Sequence, residues 1–230
     1  MSARNIEDGS TIEINGAALT ANSSGALWWD TQRLLAFADL HLEKGSSYAR
    51  KGALLPPYDT RATLARAGEL IARYDPAMVV CLGDSFHDTD GPGRLDPEDA
   101  GALATLSRNR DWVWITGNHD PELPDNIGGR AIDELSLGPL SFRHEARIMT
   151  APGEISGHFH PKAAVKHRGR RLTGRCFAGD GHRLVLPAFG AYAGGLSVRD
   201  PAIAGLFPQG FTVWLMGQRK IYPFPAARLA

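Results

Sequence analysis

The chain has 230 residues, with 25 Lys and Arg against 25 Asp and Glu, and 43% of it is apolar, enough to bury a sizeable core. These figures exclude a disordered, collagen-like or coiled-coil chain, and zero net charge argues against attraction of nucleic acid by the surface as a whole. Two cysteines exclude a disulfide framework or a zinc-ribbon CxxC pair, and no run reaches the roughly 18 apolar residues of a membrane span. The opening MSARNIEDGSTIEI lacks an apolar signal region, so the expectation is one cytoplasmic domain over 1–230 with no membrane partner.

From Thr11 to Trp29 apolar and polar residues alternate loosely, broken by Gly16 and by Asn22-Ser23-Ser24-Gly25, which predicts short antiparallel strands. Leu34–Ala38 (LLAFA) is a continuous apolar run, as in a strand covered on both faces. Between Asp59 and Tyr74, Leu64, Ala67, Leu70 and Ile71 share one helical face, with Asp59 or Thr60 as the expected N-cap. Met78–Leu82 (MVVCL) reads as a second buried strand. Pro97–Leu106 opens on proline and predicts a second helix, and Trp112–Thr116 (WVWIT) a third buried strand. Strand, helix, strand, helix, strand is the order of an α/β domain with parallel crossovers. Beyond Arg130 helical periodicity fades, and β-like pieces stand at Leu140–Arg143, Ala146–Met149, Leu184–Ala188 and Phe211–Leu215. The predicted architecture is two packed sheets with helices outside. The tryptophans Trp28, Trp29, Trp112 and Trp114 read as core.

Each predicted buried strand in the first half runs into polar residues: Asp39-Leu40-His41, then Gly83-Asp84 with His87 and Asp88, then Gly117-Asn118-His119-Asp120. Ligands of open α/β sheets gather outside the carboxyl ends of the strands, so these loops are expected to converge. His144 and the run Gly157-His158-Phe159-His160 follow. Asp, Asn and His without thiolates suit Mn²⁺, Fe or Zn²⁺ more than a soft-metal site. Asp39 and His41 are two apart in a segment read as extended, which would put both on one face, and His158 and His160 repeat the spacing. The glycines before Asp84, Asn118 and His158 read as sharp-turn residues.

The order D-x-H, GD, GNHD, H, GHxH resembles the calcineurin-like metallophosphoesterase superfamily, matched at Asp39/His41, Gly83/Asp84, Gly117–Asp120, His144 and Gly157–His160. The stretches DLHLEKGSSYARKGALLPPYDTRATL (Asp39–Leu64) and LPAFGAYAGGL (Leu186–Leu196) are similar to its bacterial ligase-associated DNA damage response endonuclease branch. The resemblance implies a four-layer α/β/β/α sandwich and a phosphodiesterase or endonuclease acting on nucleic acid in DNA repair. It implies two divalent metals, Mn²⁺ by expectation with Fe, Zn²⁺ or Mg²⁺ as alternatives. One would be held by Asp39, His41, Asp84 and His160, the other by Asp84, Asn118, His144 and His158, with Asp84 between them. Two such ions activate water and stabilise in-line displacement at phosphorus. His119 matches the leaving-group acid or transition-state donor and Asp120 stands beside it in the catalytic loop; His87, Asp88 and Asp120 read as residues that orient the ligands. DNA-repair ligase- or helicase-associated partners are implied by the resemblance alone, and homodimerisation is left open.

Departures from related patterns narrow the reading. The loop GDSFHDTDG holds no arginine before Arg94, unlike protein serine/threonine phosphatases, which grip a phosphomonoester there. His144-Glu145 begins like HExxH, but Ile148 stands where the second histidine must be. Alternatives on the same fold are a small-molecule or nucleotide phosphatase or phosphodiesterase and a non-catalytic metal-binding scaffold. Residues 161–183 hold seven cations against Asp180, an excess of six that leaves the rest of the chain at −6. Lys166, Arg168, Arg170 and Arg171 are therefore candidates for contact with the phosphates of a nucleic acid or nucleotide diester, against the alternative of a solvated basic loop.

Overall fold

The computed structural model describes residues 9–230 except 54, 125–126, 150–151 and 168, and leaves aside the His167 side chain. Arg168 thus lies outside the described residues. Seven strands form a first sheet in chain order: β1 (Gly9–Ile14), β2 (Ala17–Asn22), β3 (Leu27–Trp29), β4 (Leu34–Phe37), β5 (Met78–Leu82), β6 (Asp111–Ile115) and β7 (Arg130–Ile132). The first four pair antiparallel, whereas β4, β5, β6 and β7 are parallel. The crossovers carry α1 (Lys44–Arg50), α2 (Asp59–Tyr74), α3 (Gly91–Arg94) and α4 (Pro97–Ser107).

The remaining strands are β8 (Glu134–Leu137), β9 (Leu140–Arg143), β10 (Glu154–Ser156), β11 (Pro161–His167), β12 (Arg170–Gly179), β13 (Arg183–Val185), β14 (Leu196–Ser197), β15 (Thr212–Met216) and β16 (Ile221–Pro225). They build a second, mixed sheet with the path β14-β11-β12-β13-β10-β9-β8, to which β15 and β16 add alongside β12. A short helix, α5 (Pro201–Ala204), packs on its outer face, where Ile203 and Phe207 meet Val165, Cys176 and Val213.

The period of two along each strand explains the continuous apolar runs. Leu34 and Ala36, Val80 and Leu82, and Val113 and Ile115 face the second sheet, where they meet Phe142, Ile155, Phe177 and Leu184. Their neighbours Leu35, Phe37, Val79, Cys81, Trp112 and Trp114 face Leu64, Ala67, Leu70 and Ile71 of α2 and Leu103 of α4. The order is helices, sheet, sheet and a thin helical layer. All four tryptophans named above lie in these cores, none more than 4% exposed.

Three expectations need correction. The N-cap of α2 is Tyr58, not Asp59 or Thr60. Those two side chains instead accept from the amides of Gly45 (3.0 Å) and Glu43 (2.8 Å), fixing the turn that leads into α1. Ala146–Met149 is not a strand, and Ile148 and Met149 are 84% and 90% exposed. The basic stretch is not a loop: β11 and β12 form an antiparallel hairpin. Its small and charged residues hid the strand period.

Candidate metal centre

Parallel register places the site. The carboxyl ends of β4, β5 and β6 lie side by side, so Asp39-His41, Asp84 and Gly117–Asp120 leave the sheet at one edge. In the second sheet β9 and β10 are also parallel neighbours, which brings His144 beside Gly157, whose amide donates to the His144 carbonyl at 2.9 Å. Backbone bonds then tie the loops together, His41 N–H donating to Asp84 O (2.9 Å) and Leu42 N–H to Ser85 O (2.8 Å).

Asp39 and His41 do not share a face of an extended segment. Asp39 (φ 52°), His41 (φ 45°), Asp84 (φ 46°), His158 (φ 67°) and His160 (φ 47°) all occupy the left-handed region. A non-glycine residue held there costs on the order of 1 kcal/mol or more, and five of them converge on this one site. Of the three glycines, only Gly83 has a positive φ (73°). Gly117 and Gly157 are required by close approach, because a Cβ would stand 2.2 Å from Asp84 N and 2.6 Å from Asp39 Oδ2 respectively.

Two donor groups result. Asp39, His41 and His160 offer ligand atoms all within 4.8 Å of one another, and Asp84, His144 and His158 do the same. In the first, His41 Nε2 and His160 Nε2 face each other at 3.2 Å, with His160 Nε2 3.4 Å from Asp39 Oδ1. In the second, His158 Nδ1 is 3.1 Å from His144 Nε2, which lies 3.4 Å from Asp84 Oδ1. His144 Nδ1 lies 2.9 Å from the Leu82 carbonyl, which can only accept, so that nitrogen carries the proton and Nε2 keeps its lone pair. Asp39 links the groups, accepting the His158 amide at 3.0 Å and standing 3.8 Å from His144 Nδ1.

This donor set fits divalent cations. Burial above all, with charge on His160, Lys44, His119 and His87 adding to it, drives the His41 imidazole down to about 2, so its ring is a neutral donor. Burial and then His144 lower His158 as well. Imidazole nitrogens that face one another beside carboxylates, with the His144 Nε2 lone pair among them, are the nitrogen and oxygen donors that a divalent cation accepts.

Around these groups the expected residues take distinct places. Asn118 is exposed, and its side chain makes no hydrogen bond among the described residues. His119 is 47% exposed and held at both ends. Its backbone amide donates to Asp84 Oδ1 (2.9 Å), and its Nδ1–H to the His87 carbonyl (2.8 Å), which leaves Nε2 facing Asp84 Oδ2 at 3.9 Å. The His87 ring stacks on His119 with centroids 5.4 Å apart. Asp120 is wholly buried, and its carboxylate accepts from Ser85 N (2.7 Å), Phe86 N (3.0 Å) and Gly117 N (3.1 Å). Burial pushes Asp120 up and the Asp84 charge adds to this, against the amide bonds, giving about 6. From that position it pins the Asp84 loop to the Gly117–Asp120 loop rather than facing solvent. Asp88 turns toward Arg94, 2.7 Å away; against burial, Arg94 and Ser47 hold its carboxyl at about 2. Arg94 in turn donates to Ser46 Oγ (3.0 Å), so it braces α1.

The hairpin divides the basic candidates. Lys166 lies directly opposite Arg171, while Arg170 pairs with His167 on the other face. The structure also brings in residues the sequence did not single out. Tyr48 of α1 packs its ring 5.6 Å from His87, and Lys44 lies 6.0 Å over Tyr48. Glu145 Oε1 lies 3.8 Å from His158 Nε2. Helix α1 had no apolar periodicity to show it, and Glu145 was read only as part of a failed HExxH.

Residues 32–183 match the calcineurin-like phosphoesterase family. The chain belongs to that family. It is a metal-dependent phosphoester hydrolase, and the family's use of divalent metals agrees with the two donor groups. The fold is similar to the crystal structure of Pseudomonas putida nuclease MPE, at 29% identity and a TM-score of 0.70, over 94% of this chain and 100% of that one. A phosphoesterase from E. coli, Yfce, aligns over 83% of this chain and 97% of its own at 14% identity and a TM-score of 0.43. No curated protein matches the sequence. Among the described residues no helix is long and apolar enough to cross a membrane.

Proposed function

We propose that this phosphoester hydrolase is a two-metal nuclease that cleaves phosphodiester bonds in nucleic acid. The observation that carries the reading is the pair of carboxylate–imidazole groups side by side, with His119 Nε2 beside the second. Asp39, His41 and His160 would hold one ion and Asp84, His144 and His158 the other, with Asn118 completing the second set. Bound divalent ions supply Lewis-acid charge at the phosphoryl oxygens and lower the pKa of water. His119, with Nδ1–H committed to the His87 carbonyl, presents Nε2 to the leaving oxygen as proton donor. Half-exposed, it is reachable by a polymer. The likeness to a nuclease over nearly the whole chain and the basic hairpin support a nucleic-acid substrate, with Lys166, Arg170 and Arg171 among the contacts. Mn²⁺ as the resident ion and a place in DNA repair beside ligase- or helicase-associated proteins rest on the sequence resemblance.

The test is metal-stripped protein reconstituted with Mn²⁺, Mg²⁺, Zn²⁺ or Fe²⁺. It is assayed on an aryl phosphomonoester, an aryl phosphodiester and DNA and RNA strands, with bound metal counted. Two ions per chain and turnover of diester and strand support the proposal. One ion per chain, or turnover of the monoester alone, overturns it in favour of a small-molecule phosphatase.

A further inference from the structure

The open face of the β11–β12 hairpin carries an arrangement that folding alone does not explain. Antiparallel register sets Lys162 directly opposite Arg175 and Lys166 directly opposite Arg171. Residues 162, 164 and 166 share a face, so these are two like-charge pairs in one stripe, separated by Ala164 and Thr173. Like charges in opposite positions destabilise a sheet. Among the described residues none of the four forms an ion pair. The opposite face, with Ala163 and Val165, is buried in the outer core.

A groove of about 430 Å³ opens on this stripe, lined by Lys162, Thr173, Arg175, Ala191 and Ala193. Its walls are held in place. Arg175 Nη1 donates to the Ala188 carbonyl at 2.8 Å, and the Arg66 guanidinium of α2 donates to the Phe189 carbonyl and lies 4.3 Å over the Phe189 ring. Gly195 leaves room for the lysine stem: a Cβ there would stand 2.6 Å from Lys162 Cε. The groove adjoins the metal centre. Lys162 follows His160 by two residues, and the loop bearing Ala191 is bonded to the ligand strand through Gly190 N to Asp39 O (3.1 Å) and Phe189 N to Ala38 O (2.7 Å).

We infer that Lys162 and Arg175 form a subsite for a non-scissile backbone phosphate of the nucleic acid, and that the Lys166/Arg171 pair receives the next stretch of strand. Clustered cations lacking counter-charges, fixed beside the reacting centre, match a polyanion that crosses the active site and continues along the hairpin. The subsite assigns the strand's direction of exit, and it rests on the nuclease reading proposed above.

The test separates binding from cleavage. Lys162→Gln and Thr173→Glu, the second an exposed groove residue away from the ligands, are compared with the wild type. Binding of a fluorescent single-stranded DNA 20-mer is measured by anisotropy across a salt series, alongside turnover of the strand and of an aryl diester. One lost phosphate contact flattens the log–log salt slope by about 0.7, which is about fivefold in affinity at 0.1 M relative to 1 M salt. The expected result is that loss for Lys162→Gln, a larger one for Thr173→Glu, unchanged aryl-diester kinetics and metal content, and recovery in Lys162→Arg. Unchanged strand binding in both variants overturns the subsite, as does failure of the wild type to bind the strand. Equal losses on the aryl diester would show that Lys162 acts through His160 and would also overturn it. Wild-type protein that binds the strand with the expected variant effects but cleaves no strand would sink the nuclease reading while leaving the subsite standing.

Discussion

Asp120 offers a sharp test of whether a buried acid in a catalytic loop works on the substrate or on the loop. Its carboxylate accepts three backbone N–H bonds, two on Oδ2 from Ser85 and Phe86 and one on Oδ1 from Gly117, with no exposure to solvent. In Asp120→Ala all three amides lose their acceptor inside the protein. At about 1–3 kcal/mol for each buried unsatisfied group, the loss is about 3–9 kcal/mol, with the lower end expected because water can enter the space left behind. Asp120→Asn is gentler. With its oxygen toward Ser85 and Phe86 its NH₂ meets the Gly117 N–H, so one bond is lost, worth about 1–3 kcal/mol. For a chain of this size each kcal/mol shifts Tm by roughly 2–4 °C.

The consequence for the site follows from where those amides sit. Ser85 and Phe86 follow Asp84, and Gly117 precedes Asn118 and His119, so Asp120 staples one ligand loop to the other. Asp120→Asn is expected to lower Tm by several degrees and to weaken metal binding. Activity should return in good part when Mn²⁺ is raised. Thermal denaturation by circular dichroism, metal content and activity against metal concentration measure all three. A variant with wild-type Tm and metal content but a hundredfold or greater loss of kcat would refute the reasoning and make Asp120 a group that touches the substrate.

Two further predictions follow from single close contacts. Gly117→Ala places a Cβ 2.2 Å from Asp84 N and 2.5 Å from Asp84 Oδ1, so the Asp84 carboxylate must move; the expected result is loss of at least one metal with the far-UV spectrum kept, and normal metal content would show that the loop yields freely. His119→Ala is expected to retain its metals and lose on the order of 10²–10⁴ in kcat, with a smaller loss for aryl diesters whose leaving groups need no protonation. An equal loss across a leaving-group series would point instead to charge stabilisation in the transition state.

The amino-acid sequence alone dictates the parallel half of the first sheet. LLAFA, MVVCL and WVWIT became β4, β5 and β6, because strands covered on both faces must be apolar throughout. It also pointed to the edge where ligands collect, since polar runs after such strands have nowhere else to go. What it could not show was the conformation of those runs. Asp39, His41, His158 and His160 read as alternating extended residues, but the converging loops hold them left-handed, a state no local preference selects and only tertiary contacts sustain. The GNHD loop was legible as a motif, whereas the division of labour inside it, His119 toward the site and Asp120 toward three amides, depends on which way each side chain faces across the packed loops. The basic stretch shows the limit most clearly. Its excess charge was visible in the chain, but the opposition of Lys162 to Arg175 and of Lys166 to Arg171 exists only in the register of a hairpin, because cross-strand neighbours are set by pairing and not by sequence distance.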